Sequence, residues 1–439
     1  MKPIWPYLAQ DYSGVYITQA KGAYLYTKSG NKILDAAGGA IVNNIGHGRK
    51  EVAEVIKQAT IKNSYVLPPW TTPEREELVE ELTEYWLPSE LNRIHLSSGG
   101  SEANEAAIKI SIQYQASKGK AKKNLILNRS LSYHGTTISM TGISGHTARK
   151  RGLESYLIEP HSIETPYPLR CPLGKHHPEA KDYYLNNLEE VIKSLGAENI
   201  AALIAEPLNG SSGGAIAPPQ GYWLEAQKIL TENEILLIAD EVMTGFGRVG
   251  KKFACDLYGL KPDIIVAGKG MAGGYAAIAG TYTTNEIAES IKQAGYEVMF
   301  HTFAALPLSC AAATCVLKIL RKEKLVEASA AIGKKLKDHL TEELKENPLV
   351  AEIRGEGLLL GIEVVKNKDT LELFEEKEKI TSKIINYAFS EGVFFYPGGT
   401  GEVRDIICLG PPFIINDAEI DFIVSSLKKS LDHIKSKYL

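Results

Sequence analysis

The stretch ILLIADEVMTGFGRVGKKFACDLYGLKPDIIVAGK, residues 235–269, contains two apolar runs, ILLIAD (235–240) and DIIVAG (263–268), each followed at once by a charged or polar residue. Short apolar runs bounded by turn formers read as strands buried on both faces, which is the signature of a parallel sheet. Outward from this stretch the pattern recurs at NLILN (124–128) and AALIAE (201–206). Between the runs the period changes to three and four. SEANEAAIKISIQYQ from Ser101, LNNLEEVIKSL from Leu185 and YWLEAQKILTEN from Tyr222 each put apolar residues on one helical face. Alternating strands and helices predict an α/β domain with a mainly parallel sheet.

The chain has 439 residues, a length that suggests about two or three domains. Its last third changes character, with the long charged helix pattern VEASAAIGKKLKDHLTEELKE, the strand-like GLLLGIEVV and a helical run near DAEIDFIVSSLKKSLDHI. We therefore expect a large domain over residues 61–310 and a smaller α+β domain over 311–439. The segment 1–60, which includes the strand and turn signals of AYLYTKSGNKILDAAGG, is too short to fold alone and is expected to join the smaller domain.

Hydrophobic residues make up 44% and charged residues 23%, so the chain is neither disordered nor fibrous. The balance of 49 basic and 53 acidic residues gives −4, and no dense basic run occurs, which argues against nucleic acid and anionic membranes as partners. The N-terminal stretch lacks an apolar leader core, and no apolar stretch of about 18 residues is present, so a cytoplasmic protein is expected. Cysteines 171, 255, 310, 315 and 408 form no CxxC pair and read as reduced thiols. Cys171, His176 and His177 cluster in a loop rich in Pro and Gly but lack a fourth ligand, and no metal is expected.

Ligands of open parallel sheets bind beyond the carboxyl ends of the strands. The residues at those ends are Glu206, Asp240 with Glu241, and Lys269 in AGKGMAGGY. Any one of them alone reads as a solvated strand end, but together they form a pattern. Lysine loses its proton readily when buried, which is what an aldehyde cofactor requires of an attaching amine. A buried carboxylate needs a partner, and for Asp240 a pyridinium nitrogen would serve, with Val242 packed against the ring. HLSSGGSEANEAAIKI sets Gly100 and Ser101 at a helix start, a place that suits either an anion or an ordinary Ser N-cap. Tyr133 and His134 follow the NLILN strand, where an aromatic could stack on a flat ligand.

These motifs together resemble the class III, or ω-aminotransferase, family of fold-type I pyridoxal phosphate (PLP) enzymes, and the likeness runs through nearly the whole chain. SGGSEANEAAIK is similar to the family's phosphate loop, which implies phosphate contacts at Gly100 and Ser101. YHG implies stacking by Tyr133. AEPLNGSSGG implies that Glu206 stands near the substrate. LLIADEVMTGFGRVG implies Asp240 on the ring nitrogen, Val242 on the ring face and a structural Arg248, and PDIIVAGKGMAGG implies Lys269 as the Schiff-base lysine. HTFAALPLSCAAA resembles a segment whose threonine, here Thr302, binds phosphate across a dimer interface, although Ala305 and Leu306 stand where Gly and an amide or His are common.

The resemblance implies a large domain with a mainly parallel seven-stranded sheet flanked by helices, plus the smaller α+β domain. It also implies a homodimer with shared active sites, which could pair into a tetramer, and small-molecule substrates: an amine donor and an oxo-acid acceptor used in ping-pong order. Arg404 and Trp70 are candidates for substrate contact, and Cys408 occupies the place of the arginine in the ornithine-type pattern. An aminomutase or a decarboxylase of the same family would use the same residues. A non-catalytic protein of this fold would have no need to keep them all.

Overall fold

The computed structural model describes residues 15–401 and 403–438, so the N-terminal stretch inspected for a leader, residues 1–14, lies outside the described residues. The central sheet has seven strands in the order Arg93–Ser97, Ala279–Thr283, Ile264–Ala267, Leu236–Asp240, Ile200–Ala205, Leu125–Arg129 and His161–Ile163. The strand Ala279–Thr283 runs antiparallel to both neighbours, and the pairings from Ile264–Ala267 to His161–Ile163 are parallel. All four apolar runs read from the sequence are strands of this sheet. All six residues of Ile200–Ala205 are buried, and burial of each Ile or Leu contributes about 1.5–3 kcal/mol.

Three further strands complete the sheet. Arg93–Ser97 (RIHLS) mixes polar with apolar residues, His161–Ile163 has three residues, and Ala279–Thr283 (AGTYT) is made of small and hydroxylated ones. None forms an apolar run.

The helices Gly100–Ser117, Ala180–Leu195 and Tyr222–Glu232 cover the ranges expected from their period, with Ala103, Ala106, Ala107 and Ile110 buried in the first. Among the described residues no helix is long and apolar enough to cross a membrane.

Two smaller sheets flank this layer. In one, Ile17–Lys21, Tyr24–Thr27 and Lys32–Asp35 are joined by Val393–Phe394, which pairs in parallel with Leu34 and Asp35. In the other, Val350–Glu356, Leu359–Val364, Ile406–Leu409 and Tyr396–Gly398 pair antiparallel.

A buried ionic junction ties the second small sheet to the large one. Glu363 is fully buried and accepts from Arg354 Nη1 at 2.7 Å, from Arg170 Nε at 2.7 Å and from the Tyr167 hydroxyl. Arg354 also donates to the carbonyls of Gly214 at 2.8 Å and Gly213 at 2.6 Å. Removing one member of such a set leaves an uncompensated buried charge, a loss of about 3–5 kcal/mol. The guanidinium thus holds the loop that follows Glu206.

Candidate active site

Strand order brings the site together. Ile200–Ala205, Leu236–Asp240 and Ile264–Ala267 are consecutive parallel neighbours, so the residues at their carboxyl ends, Glu206, Asp240 and Lys269, emerge side by side. They line one cavity of about 260 Å³, together with Gly100, Ser101, Asn104, Tyr133, His134 and Val242. Eight of the sequence-derived candidates therefore share a single cavity.

Lys269 has φ 39°, a left-handed conformation that costs a non-glycine residue about 1–2 kcal/mol and turns its side chain off the strand end into the cavity. Burial lowers its amine to about 8, while the charges of Asp240 and Glu206 act through space in the opposite direction.

Asp240 is buried, and three donors fix its carboxylate. Oδ2 accepts from Asn104 Nδ2 and His134 Nδ1, each at 2.8 Å, and Oδ1 accepts the Val242 N–H at 3.0 Å. A carboxylate only accepts, so the His134 proton on this side sits on Nδ1. Glu241, its neighbour in sequence, does different work. It is fully buried, takes the N–H groups of Ala254 at 2.8 Å and Cys255 at 2.7 Å together with the Thr244 hydroxyl, and anchors the next segment from below.

Glu206 is buried, and burial is the main cause that raises its carboxyl to about 7, against the lowering effect of His134. Its Oε1 accepts the Gly210 N–H at 3.1 Å and its Oε2 accepts from Asn209 Nδ2 at 3.2 Å. Its carbonyl takes Arg129 Nη1 at 2.9 Å.

The anion end of the cavity is the start of helix Gly100–Ser117. The backbone approaches closely here: a Cβ on Gly100 would lie 2.8 Å from Val242 Cγ1, and one on Gly135 would lie 2.5 Å from Ser101 Oγ. Ser101 Oγ accepts the Thr136 N–H at 3.1 Å, so the hydroxyl is held at the mouth of the helix. The first N–H groups of a helix lack intrahelical partners and point outward, the arrangement that receives a phosphate. Tyr133 forms another wall, edge-on to His146 with centroids 6.4 Å apart.

Other candidates lie elsewhere. Thr302 is exposed in a turn and is not among the walls of the cavity. Trp70 is 65% exposed and lines a separate hollow with Arg75, Ala304 and Ala305. Ala305 has φ 53°, and its carbonyl accepts from Arg75 Nε at 2.8 Å. Arg404 donates to the carbonyl of Phe374 at 2.6 Å and is also absent from the cavity walls. Arg248 spends its donors on the carbonyls of Leu358, Pro411 and Asn43. Cys408 is buried, and burial raises its thiol to about 12, so it stays neutral.

Sequence reasoning does not single out Asn104, which also donates to the His134 carbonyl at 2.8 Å and so braces both Asp240 and the Tyr133 segment. The signal was there: a buried amide inside a helix needs partners from another element.

A sequence profile described as Aminotransferase class-III matches residues 7–431. The chain is 36% identical over 423 residues to an uncharacterized aminotransferase, YodT, of Bacillus subtilis, covering 94% of each protein. It is 32% identical over 429 residues to the putrescine–pyruvate aminotransferase of Pseudomonas aeruginosa, covering 96% of this chain and 91% of that protein. Among solved structures, an amine transaminase from an uncultivated Pseudomonas species in its PLP-bound form has a TM-score of 0.93 at 31% identity and covers 99% of both chains. An (S)-enantioselective ω-transaminase from Thermomicrobium roseum has a TM-score of 0.90 at 34% identity, covering 96% of this chain and 92% of that one. The chain belongs to the class-III aminotransferases, PLP-dependent enzymes of the fold-type I architecture.

Proposed function

We propose that the protein moves an amino group from an amine or ω-amino acid to a 2-oxo acid, pyruvate or 2-oxoglutarate, in two successive half-reactions, with Lys269 and Asp240 as its catalytic residues. The observation that carries this reading is the meeting in one cavity of an amine lowered to about 8 and a buried carboxylate held by three donors. The cavity suits a flat phosphorylated pyridine. The N–H groups at Gly100 and Ser101 with Ser101 Oγ would take the phosphate, Tyr133 and Val242 would cover the ring, and Asp240, braced by His134, would meet the ring nitrogen. Glu206 would face the substrate side.

Pyridoxal phosphate, when bound, supplies an aldehyde that condenses with amines and a ring that draws electron density from the substrate carbon. Lys269 Nζ would hold that aldehyde. With the substrate amine in its place, the same Nζ would be the base that takes the proton from the substrate carbon and returns it. Asp240 would stand opposite the ring nitrogen and accept from it. Its three donors fix its orientation before substrate arrives, so no reorganisation is needed during reaction.

The names of relatives support the substrate class, since they include the putrescine–pyruvate enzyme and a gamma aminobutyrate transaminase of Solanum lycopersicum. A homodimer is supported by the exposure of Trp70, Met299 and Phe303, at 65%, 64% and 63%, on the surface that carries Thr302, for large apolar side chains this exposed call for a cover. A second copy would bring Thr302 and Trp70 to a neighbouring site. Five unpaired cysteines, four of them buried, support a reducing, cytoplasmic setting.

The test is a single half-reaction. Holoenzyme mixed with putrescine or 4-aminobutyrate and no acceptor is expected to release about one oxo product per active site and stop, and added pyruvate then yields alanine. Continuous turnover without acceptor would instead identify an aminomutase.

The lowered amine gives a second expectation. Only the unprotonated form of Lys269 attacks an aldehyde, and that form predominates above about pH 8. Stopped-flow reconstitution of apoprotein with PLP is therefore expected to speed up about tenfold per pH unit below 8 and to level off above it. A rate still climbing at pH 10 would mean the amine is not lowered.

A further inference from the structure

We propose that Arg149, which is not itself a wall of the cavity but stacks on one of its walls, Tyr133, receives the carboxylate of the substrate, an inference that rests on the aminotransferase reading above. The Arg149 guanidinium carbon lies 4.5 Å from the centroid of the Tyr133 ring, and Tyr133 is a wall of the cavity. Arg149 also hydrogen-bonds the Tyr396 hydroxyl and acts through space on His146. One face of the guanidinium is thus covered by an aromatic ring and part of its fork reaches the Tyr396 hydroxyl, while the exposed side chain has further N–H donors to offer a carboxylate.

The position is fixed from both sides of the cleft. Arg149 ends the short turn Thr147–Arg149, where the Ala148 N–H and the Thr147 hydroxyl both donate to the Thr400 carbonyl, at 3.1 and 3.0 Å. One residue before Thr400, the Gly399 N–H donates to the carbonyl of Ser211, itself a wall of the cavity. The turn bearing Arg149 is therefore pinned to the loop that closes over the Glu206 side.

Charge inside the cavity directs a carboxylate the same way. The cavity holds the carboxyls of Glu206 and Asp240, which disfavour an anionic substrate group pointing at them, whereas one pointing toward Arg149 meets a cation.

Among the described residues, four other cations already donate to partners of their own. Lys150 donates to the Gly142 carbonyl at 2.7 Å, Arg151 pairs with Glu376 at 3.3 Å, and Arg404 and Arg248 are spent on carbonyls. Arg149 also acts through space on Lys269, which agrees with its nearness to the reacting amine.

The test compares the holoenzyme with its Arg149→Gln and Arg149→Lys variants in the second half-reaction, using pyruvate, which has a carboxylate, and propanal, which has none. Arg149→Gln is expected to raise KM for pyruvate about 10- to 100-fold, the loss of a charged hydrogen-bonding partner, while propanal stays within about twofold in both KM and kcat. Arg149→Lys is expected to fall between. Equal shifts for the two acceptors, or no shift for either, overturn the assignment.

Calorimetric titration with propionate gives a readout independent of turnover. Saturable binding by the unaltered holoenzyme that Arg149→Gln weakens supports the site, and equal binding by both proteins, or none by either, overturns it. Propionate binding through Arg149 without any amino transfer would leave this site standing and defeat the transferase reading. Amino transfer to pyruvate that ignores Arg149→Gln would do the reverse.

Discussion

Lys269→Ala is expected to lower kcat by about 10⁴-fold or more, the largest effect of any single substitution in this chain. Two roles are lost at once, because the same amine attaches the aldehyde and carries the substrate proton. The loss should not come from unfolding. Lys269 makes no buried ion pair with Asp240 or Glu206 and only feels their charge through space, and truncation removes a desolvated amine while leaving the backbone at φ 39°. Alanine tolerates that backbone no better than lysine, so Tm is expected to move little. Two measurements check this: steady-state kcat with amine and pyruvate, and borohydride reduction followed by peptide mass analysis. The peptide containing position 269 should gain the cofactor's mass in the unaltered protein and no mass in the variant. Retained turnover, or cofactor trapped on another lysine, would remove Lys269 from the mechanism.

Asp240→Asn is the second large effect, expected at about 10²–10³-fold in kcat, the typical loss when one preorganised electrostatic partner is removed. The amide has the same size but no charge and a built-in mismatch. Asn104 Nδ2 and His134 Nδ1 both need an acceptor on one side, and the Val242 N–H needs another on the opposite side. An amide has only one oxygen, so its NH₂ must face a donor. Turnover and cofactor affinity should fall together, while thermal unfolding shifts by at most a few degrees, because a buried charge has been removed along with a hydrogen bond. Kinetics, equilibrium dialysis of PLP and calorimetry on one preparation would separate these. Unchanged kcat would show that the carboxylate is only a scaffold for His134.

Much of this arrangement is legible in the chain. The four apolar runs are the central strands of the sheet because burial on both faces leaves no room for polar alternation, and that same burial makes the first polar residue after each run stand out. Glu206, Asp240 and Lys269 were found that way, and the sheet order brings them together. The strands Arg93–Ser97 and Ala279–Thr283 were hidden for the opposite reason: they lie toward one edge, where RIHLS and AGTYT can carry His, Ser and Thr. Asp240 and Glu241 were indistinguishable as letters and parted only through their partners, one facing the cavity and the other capping Ala254 and Cys255. Asn104 was not singled out within its helix, and Arg149 sits in an aperiodic Gly, Ser and Thr stretch where no spacing rule applies. Thr302 and Trp70 lie off the cavity of their own chain, which no pattern along a single chain reveals.

The cluster around Glu363 also bears on how this scaffold can be recombined. Its members come from three distant segments, Tyr167 with Arg170, Arg354 with Glu363, and the Gly213–Gly214 turn that Arg354 grips. A chimera that imports the C-terminal third of a relative, yet keeps its own residues 167–170 and 213–214, inherits half a lock. Grafts in this family should therefore move those segments as one set, or cut the chain where none of the three is divided.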